Sequence, residues 1–458
     1  MDARMSTLRT RFEEAGQGHV LGLWESLGSA QQAAFAAQLE GVDLDLVTRL
    51  GSRLTDDSEA GSPALAPPEV FPASASGARS DERKRAIARG EELLAAGRVG
   101  FVLVAGGQGS RLGFDGPKGA YEIGPVTSKS LFEWHAARIQ AAGTRHGFKP
   151  RWYVMTSAAN DAATRAFFDA HGHFGFDPAD VFLFQQDMLP ALDPEGKIVL
   201  AAPGELFLAP NGHGGTLAAL KSSGALADMA AHGIDQLSYF QVDNPLGRHA
   251  DPLFIGLHDL AAAEMSSKVV AKRDAAEKVG VLGLLNGVLG CIEYSDLSDD
   301  LRNATDERGE LLFNAGNIAA HVIRRDFVEA LTDGGDLDLP WHVARKNLKC
   351  ISADGQPAER PGVKFETFIF DALARTSASV VLEVLREEEF SPVKNAEGND
   401  SPATTRSDLT RLACHVSGAE SAAMELDPRL AETPAEFAAN QPQADDTANG
   451  VVFKPAPR

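Results

Sequence analysis

The run Val99-Gly-Phe-Val-Leu-Val104 and the glycine-rich stretch after it constrain the fold more than any other part of the chain. Valine, leucine and phenylalanine without polar alternation read as a strand buried on both faces. The chain then enters Ala105-Gly-Gly-Gln-Gly-Ser-Arg-Leu-Gly-Phe-Asp-Gly-Pro-Lys-Gly119, with five glycines between 106 and 116. Glycine permits φ > 0 and leaves main-chain N–H groups open to a ligand. Successive N–H groups in such a loop form a nest for anions. Glycines alone would serve a structural turn equally well. Arg111 and Lys118 tip the reading towards phosphate, since a turn needs no cations. Neither familiar phosphate motif fits. Gly119 follows Lys118 where a Walker A loop has Ser or Thr, and Gly107, Gly109 and Gly113 are spaced one residue too widely for the dinucleotide fingerprint.

Strand and helix signals alternate around this loop. Helices are expected over 81–96, 131–142 and 161–171. Strands are expected over 152–156, 181–184, 237–242 and 268–271. The alternation predicts an α/β domain over 98–385, with a mainly parallel sheet covered on both faces. Residues 1–97 read as an N-terminal helical region. Its segment 55–80, rich in Ser, Ala, Pro and Gly, reads as a linker. Residues 386–458 form a C-terminal region, and its tail from 428 has the composition of a mobile segment.

The net charge of −21 disfavours nucleic acid and anionic membranes as partners, because both are bound through clustered Lys and Arg. Any phosphate must be met by a few placed cations, N–H groups and a metal ion. No apolar run approaches the roughly 18–20 residues of a membrane span, and residues 1–20 lack the apolar core of a signal peptide. The three cysteines, Cys291, Cys350 and Cys414, are far apart and read as buried free thiols. A cytoplasmic protein is expected.

Gly-Gly-Gln-Gly-Ser-Arg-Leu-Gly followed by Pro117-Lys118 resembles the signature of the UDP-sugar pyrophosphorylases. The nearest branch is the eukaryotic-type UDP-N-acetylhexosamine pyrophosphorylases, where Thr usually stands in place of Ser110. The resemblance runs in order from about residue 15 to about 415. It implies a Rossmann-like nucleotidyltransferase (GT-A-like) core. Val104, Ala105, Gly106 and Gly107 would then hold the uridine, and Arg111 and Lys118 would contact the leaving phosphates. Phe184-Gln-Gln-Asp187 is similar to the segment whose Gln186 would read the uracil edge, for which a carboxamide offers both donor and acceptor. Pro210-Asn-Gly-His-Gly-Gly215 resembles the second glycine loop, with Gly212 against the base. His213 departs from the pattern: the N-acetylhexosamine branch usually has Asn there, and the UDP-glucose branch has Gly-His-Gly-Asp. This chain mixes the two.

Tyr239-Phe-Gln-Val-Asp-Asn244 reads as a strand ending in a carboxylate, the place where open α/β sheets collect ligands. By resemblance Asp243 would bind Mg²⁺ (or Mn²⁺), a hard ion that often takes one or two protein carboxylates. Lys278-Val-Gly-Val281, Cys291-Ile-Glu-Tyr-Ser295 and Phe313-Asn-Ala-Gly-Asn-Ile318 are similar to the sugar-contacting segments. They would supply Gly280, Glu293 and Asn317, with Asn314 second. His213 and Phe368 would border the same sugar, and core packing is the competing reading for Phe368. Arg386-Glu-Glu-Glu-Phe-Ser-Pro-Val-Lys-Asn395 is a further match. Its three acids would ordinarily form a solvated face, and Lys394 would hold the sugar phosphate.

The implied activity is uridylyl transfer from UTP to a sugar 1-phosphate, most readily N-acetylglucosamine 1-phosphate, with glucose 1-phosphate as the alternative because of His213. A non-enzymatic nucleotide-sugar sensor would have lost some of Arg111, Lys118, Asp243 and Lys394; all four are present. A nicotinamide-dependent oxidoreductase conflicts with the glycine spacing. Sequence leaves monomer and homodimer open.

Overall fold

The computed structural model describes residues 3–55, 63–74, 76–294, 296–334 and 337–454. They group into two units. The larger comprises Pro63–Gln185, Thr216–Asp338 and Phe370–Arg458, and the smaller Met1–Ser62, Gln186–Gly215 and Leu339–Ile369. The boundaries expected from sequence, 1–97, 98–385 and 386–458, do not coincide with this division. Contacts join segments far apart in the chain, which local composition does not report.

The larger unit is built on a ten-stranded mixed sheet. Its main strands are β1 (Val99–Val104), β2 (Trp152–Thr156), β3 (Val181–Gln185), β4 (Gln236–Gln241), β5 (Met265–Ala271), β6 (Val281–Leu285), β7 (Val288–Ile292), β8 (Ala315–Arg324) and β9 (Val381–Glu383). One half is parallel, in the order β3-β2-β1-β4. Every residue of β2 is buried, as expected for a strand covered on both faces. The other half is largely antiparallel: β8 runs against β4, and β5 and β6 run against β8. The tight turn between β6 and β7 accounts for part of this. Asn286 (φ 50°) and Gly287 (φ 82°) both adopt left-handed backbone, and a two-residue turn of that kind joins only antiparallel strands.

Helices Ala78–Ala95, Leu131–His146 and Asp161–Ala170 confirm the periodicity reading. The second starts at Ser130, whose hydroxyl accepts from Glu133 N–H while the Glu133 carboxylate accepts from Ser130 N–H. It ends at Gly147, in left-handed backbone. Helix Ala78–Ala95 lies tight on Pro252–Leu260. A Cβ at Gly256 would fall 1.7 Å from the Ala86 carbonyl oxygen, so only glycine permits the approach.

The tail reads differently in three dimensions. Met424–Leu426, Asp445–Thr447 and Gly450–Phe453 form a small sheet, and Phe453 packs with Val416, Met424 and Leu426. Apolar residues spaced too irregularly to signal an element locally become a cluster through that pairing. Residues 455–458 lie outside the described residues. In the 55–80 segment, Leu65–Ala66 pairs with β6 and Phe71 bridges β9, so part of the expected linker is held by main-chain bonds. Residues 56–62 and 75 of that segment lie outside the described residues.

In the smaller unit, helices Ala3–Glu14, Ser29–Glu40 and Leu44–Ser52 contribute Phe12, Phe35, Leu39 and Val47 to one core, with Leu192, Ile198, Leu206, Val363 and Phe365. A long hairpin, His342–Ile351 with Pro357–Glu366, completes it.

Candidate active site

Register places four chain ends of the larger unit on one edge of its sheet. Val104 lies opposite Gln241, and Ala271 at the end of β5 lies opposite Ala315 at the start of β8. Since β8 runs against β4, the ends of β1, β4 and β5 meet the start of β8. Between β1 and β4 the strand order reverses direction, and open α/β sheets bind ligands at such a point.

The glycine loop leaves β1 at this point. Its carbonyls are held from behind. Asn160 Nδ2 donates to Ala105 O at 2.8 Å and to Gly107 O at 3.1 Å, and Ser157 Oγ donates to Gly106 O at 2.8 Å. Asn160 in turn accepts from Ser157 N–H. Sequence reasoning missed both residues. The available signal is Ser157-x-x-Asn160 between a strand and a helix, a capping pattern with side chains to spare. Among the described residues, the main-chain N–H groups of Gly107, Gln108 and Ser110 donate to no other main-chain group. With the carbonyls bound and N–H groups available, the loop presents donors. Its glycines serve different ends. Gly113 takes φ 68°, a Cβ at Gly119 would lie 2.2 Å from the Phe132 ring, and a Cβ at Gly107 would meet nothing within 4 Å.

Asp243 follows β4. Its carboxylate lies 3.4 Å from Lys118 Nζ, and both side chains are largely buried. Its main-chain carbonyl accepts from Val393 N–H at 2.8 Å, which sets Lys394 one residue away. Asn244 secures the same junction: Nδ2 donates to Glu389 O at 2.7 Å and Oδ1 accepts from Ser391 N–H at 3.0 Å. Lys394 is exposed, its Nζ 5.6 Å above the Phe390 ring. Arg111 is exposed in the glycine loop. The structure thus brings Lys118, Asp243 and the Lys394 backbone together, with Arg111 on the same loop as Lys118. The acidic run corrects the sequence reading. Glu389 is buried and bonds Lys268 Nζ at 2.6 Å, anchoring the segment that carries Lys394.

Behind Asp243 stand two buried histidines. His135 Nε2 lies 3.0 Å from Val242 O, and His135 Nδ1 lies 2.9 Å from His249 Nε2. A carbonyl needs a donor, so Nε2 of His135 carries the proton and His249 Nε2–H donates to His135 Nδ1. Burial lowers His135 to about 4 and His249 well below its ordinary value; His258, elsewhere in the unit, is likewise lowered to about 4 by burial. These groups are neutral in the native state and bind protons more readily when unfolded. Their contribution is intact above pH ~6.5 and is lost as pH falls towards 4, by about 2 kcal/mol at about pH 5 for each of His135 and His258. The urea midpoint should therefore drop clearly between neutral pH and about pH 5. An unchanged midpoint would contradict the neutral pair.

Gly280, Glu293 and Asn317 also come together. Asn317 N–H donates to Gly280 O at 2.8 Å, and a Cβ on Gly280 would lie 2.8 Å from Cys291 Sγ and 3.7 Å from Glu293 Oε1. Packing against Cys291 is therefore one reason for Gly280. Ser295 lies outside the described residues.

The remaining expected residues belong to the smaller unit. Gln186 is buried, its Nε2 donating to Asn211 Oδ1 at 3.0 Å and to Gly212 O at 2.5 Å. Gly212 has φ 83°, and a Cβ there would lie 2.3 Å from Thr367 O. His213 Nδ1 accepts from Ile369 N–H at 3.1 Å, and its ring stacks on Phe368, which also stacks on His342. Phe368 is thus half-buried in a ring stack rather than in the apolar core.

A donor-lined glycine loop, a strand-end carboxylate and placed cations on a Rossmann-like sheet define a nucleotidyltransferase. Comparison with known proteins narrows the class. Residues 78–422 match the family described as UTP–glucose-1-phosphate uridylyltransferase. The human UDP-N-acetylhexosamine pyrophosphorylase-like protein 1 is 38% identical over 425 residues, covering 88% of this chain and 83% of that one. The Arabidopsis thaliana UDP-N-acetylglucosamine diphosphorylase 2 is 35% identical, covering 88% of this chain and 82% of that one. The crystal structure of the Trypanosoma brucei uridine diphosphate N-acetylglucosamine pyrophosphorylase superposes with a TM-score of 0.83 at 27% identity, each chain covered to 99%. The chain belongs to the UTP–glucose-1-phosphate uridylyltransferase family and is an enzyme of the UDP-sugar pyrophosphorylase type, forming a UDP-sugar and pyrophosphate from UTP and a sugar 1-phosphate.

Among the described residues no helix is long and apolar enough to cross a membrane. No group of three or more His, Cys, Asp or Glu side chains could hold a metal ion among them. A single carboxylate at Asp243 still fits Mg²⁺, which usually keeps several waters and completes its shell with substrate phosphate oxygens.

Proposed function

We propose that the sugar is N-acetylglucosamine 1-phosphate. The likeness that carries this reading is the coverage of most of this chain by relatives named for N-acetylhexosamine or N-acetylglucosamine. In this reading Val104 to Gly107 hold the uridine, and Gln186 keeps Oε1 for the uracil N–H while its Nε2 is engaged internally. Glu293 and Asn317 accept and donate to sugar hydroxyls. An oxygen of the sugar phosphate attacks the α-phosphorus of UTP, the bond to the β-phosphate oxygen breaks, and pyrophosphate leaves. The nucleophile is already anionic near neutral pH, so no general base is needed. Arg111 and Lys118 stabilise the departing charge, and Lys394 orients the incoming phosphate; catalysis rests on positioning and placed charge. Asp243 would hold Mg²⁺ (or Mn²⁺), which would supply the remaining positive charge on the phosphates. The unpaired cysteines support a cytoplasmic setting.

Glucose 1-phosphate is the second reading, favoured by His213. Against it, the His213 ring is already engaged by Ile369 N–H and Phe368. Pyrophosphate release from UTP with N-acetylglucosamine, N-acetylgalactosamine, glucose and galactose 1-phosphates separates them. The first should give the highest kcat/KM; a preference for glucose 1-phosphate would overturn the assignment.

A further inference from the structure

The turn after β2, residues 157–160, starts helix Asp161–Ala170 with main-chain groups and one side-chain oxygen. Ser157 O accepts from Asn160 N–H at 3.0 Å and from Asp161 N–H at 2.9 Å, and Asn160 Oδ1 accepts from Ser157 N–H at 2.8 Å. The helix start therefore has no use for the Ser157 hydroxyl hydrogen or for the two amide hydrogens of Asn160. These go to the glycine loop. Asn160 Nδ2 serves Ala105 O and Gly107 O, and Ser157 Oγ serves Gly106 O at 2.8 Å, its shorter contact than the 3.2 Å to Asn160 Oδ1. Reversed, the Asn160 carboxamide would set its oxygen against two carbonyls, so its partners fix its orientation. Both residues are buried. The loop adds a bond of its own, Gln108 Nε2 to Ala159 O at 3.0 Å.

Three successive carbonyls that face one turn depart from strand geometry, where they alternate between the two edges. Each carbonyl shares its peptide plane with the N–H of the next residue, which points the opposite way. Holding Ala105, Gly106 and Gly107 O against the turn therefore aims the N–H groups of Gly106, Gly107 and Gln108 away from it together, as in a nest. Those N–H groups donate to no main-chain group among the described residues, and Gly107 and Gln108 are exposed. Peptide dipoles aligned in this way repel one another, and the donated hydrogens offset that repulsion. We infer that Ser157 and Asn160 are positioning residues for UTP, holding the first peptides of the loop in the conformation that receives the nucleotide without touching it. This role rests on the reading that seats the uridine on Val104 to Gly107.

The test uses the full chain as wild type, Ser157→Ala, Asn160→Ala and Gly107→Ala. The measurements are titration calorimetry of UTP with Mg²⁺, initial rates of pyrophosphate release from UTP and N-acetylglucosamine 1-phosphate, and thermal melts. Ser157→Ala removes one hydroxyl and keeps every main-chain bond of the helix start, so its melting temperature should fall by no more than about 4 °C. It should weaken UTP and raise KM for UTP by about tenfold, the effect of one buried hydrogen bond. KM for the sugar phosphate should stay within about twofold. Asn160→Ala removes two bonds to the loop and should exceed that loss. Gly107→Ala examines the seat of the uridine. Its Cβ meets no protein atom within 4 Å, so it should act on the ligand alone, weakening UTP about tenfold by overpacking a fitted site. If Gly107→Ala weakens UTP and Ser157→Ala does not, the positioning role is overturned by itself. Equal rises in both KM values for Ser157→Ala, with a larger loss of melting temperature, would mark a merely structural turn and overturn it too. Unchanged UTP binding in Gly107→Ala would overturn the seat of the uridine, and the positioning role with it.

Discussion

Lys394→Ala should lower turnover on the order of 10²–10³-fold while leaving the fold intact, by analogy with removal of one transition-state donor. The expectation rests on a contrast between a fixed backbone and an uncommitted side chain. Val393 N–H bonds Asp243 O, and Lys394 and Asn395 N–H both bond Asp400 O. Asn244 and the buried Glu389–Lys268 pair hold the preceding turn. The side chain itself is exposed and forms no ion pair among the described residues, with only the Phe390 ring near its ammonium. Exposed side chains of this kind usually change stability by no more than about 0.5 kcal/mol. An unchanged melting temperature with a large loss in kcat would fit a charge used on the incoming phosphate. Near-normal turnover in the pyrophosphate assay would remove Lys394 from the mechanism.

The parts of this site that are legible in the sequence are those compressed into one short stretch. β1, its glycine loop, Arg111 and Lys118 fall within twenty residues, and a glycine loop that carries two cations suits phosphate far better than a bare turn. The partners of that stretch are not legible. Nothing in the chain marks Asp243 as the group facing Lys118, because spacing across a sheet is set by strand order rather than by sequence distance. The same holds for Glu387, Glu388 and Glu389. A run of acids reads as solvated until β5 delivers Lys268 beneath it. Gly212 and Gly280 read in the sequence as glycines kept for a ligand's sake. Thr367 and Cys291 crowd those positions and account for them from within the protein.

The smaller unit shows the same limit at the scale of a fold. The N-terminal helices are visible from their apolar periodicity, but their partners, Leu192, Ile198, Val363 and Phe365, come from two later segments. Local pattern gives no reason to join these. The antiparallel half of the sheet is obscured differently. Its strand residues look like those of any buried strand, and direction is recorded only in turns such as Asn286-Gly287.

Asp243→Asn should cost at least as much as loss of Lys394, again about 10²–10³-fold or more in turnover, and excess EDTA should abolish wild-type activity until Mg²⁺ is restored. The carboxylate follows closely on β4, and asparagine keeps its shape while removing the charge. The loop should not move, because Val393 bonds the main-chain carbonyl of residue 243 rather than its side chain. What changes is the balance around Lys118, 3.4 Å away. Without its counter-charge that lysine has less reason to stay beside residue 243 and is free to hold phosphate more tightly, so KM for UTP should fall or hold while kcat drops. A metal role predicts one thing more: the Mg²⁺ concentration for half-maximal rate should rise in Asp243→Asn, since a neutral carboxamide binds a hard divalent ion less well than a carboxylate. Full activity in EDTA would eliminate the metal, and an unshifted Mg²⁺ requirement in Asp243→Asn would place the ion on substrate phosphates alone.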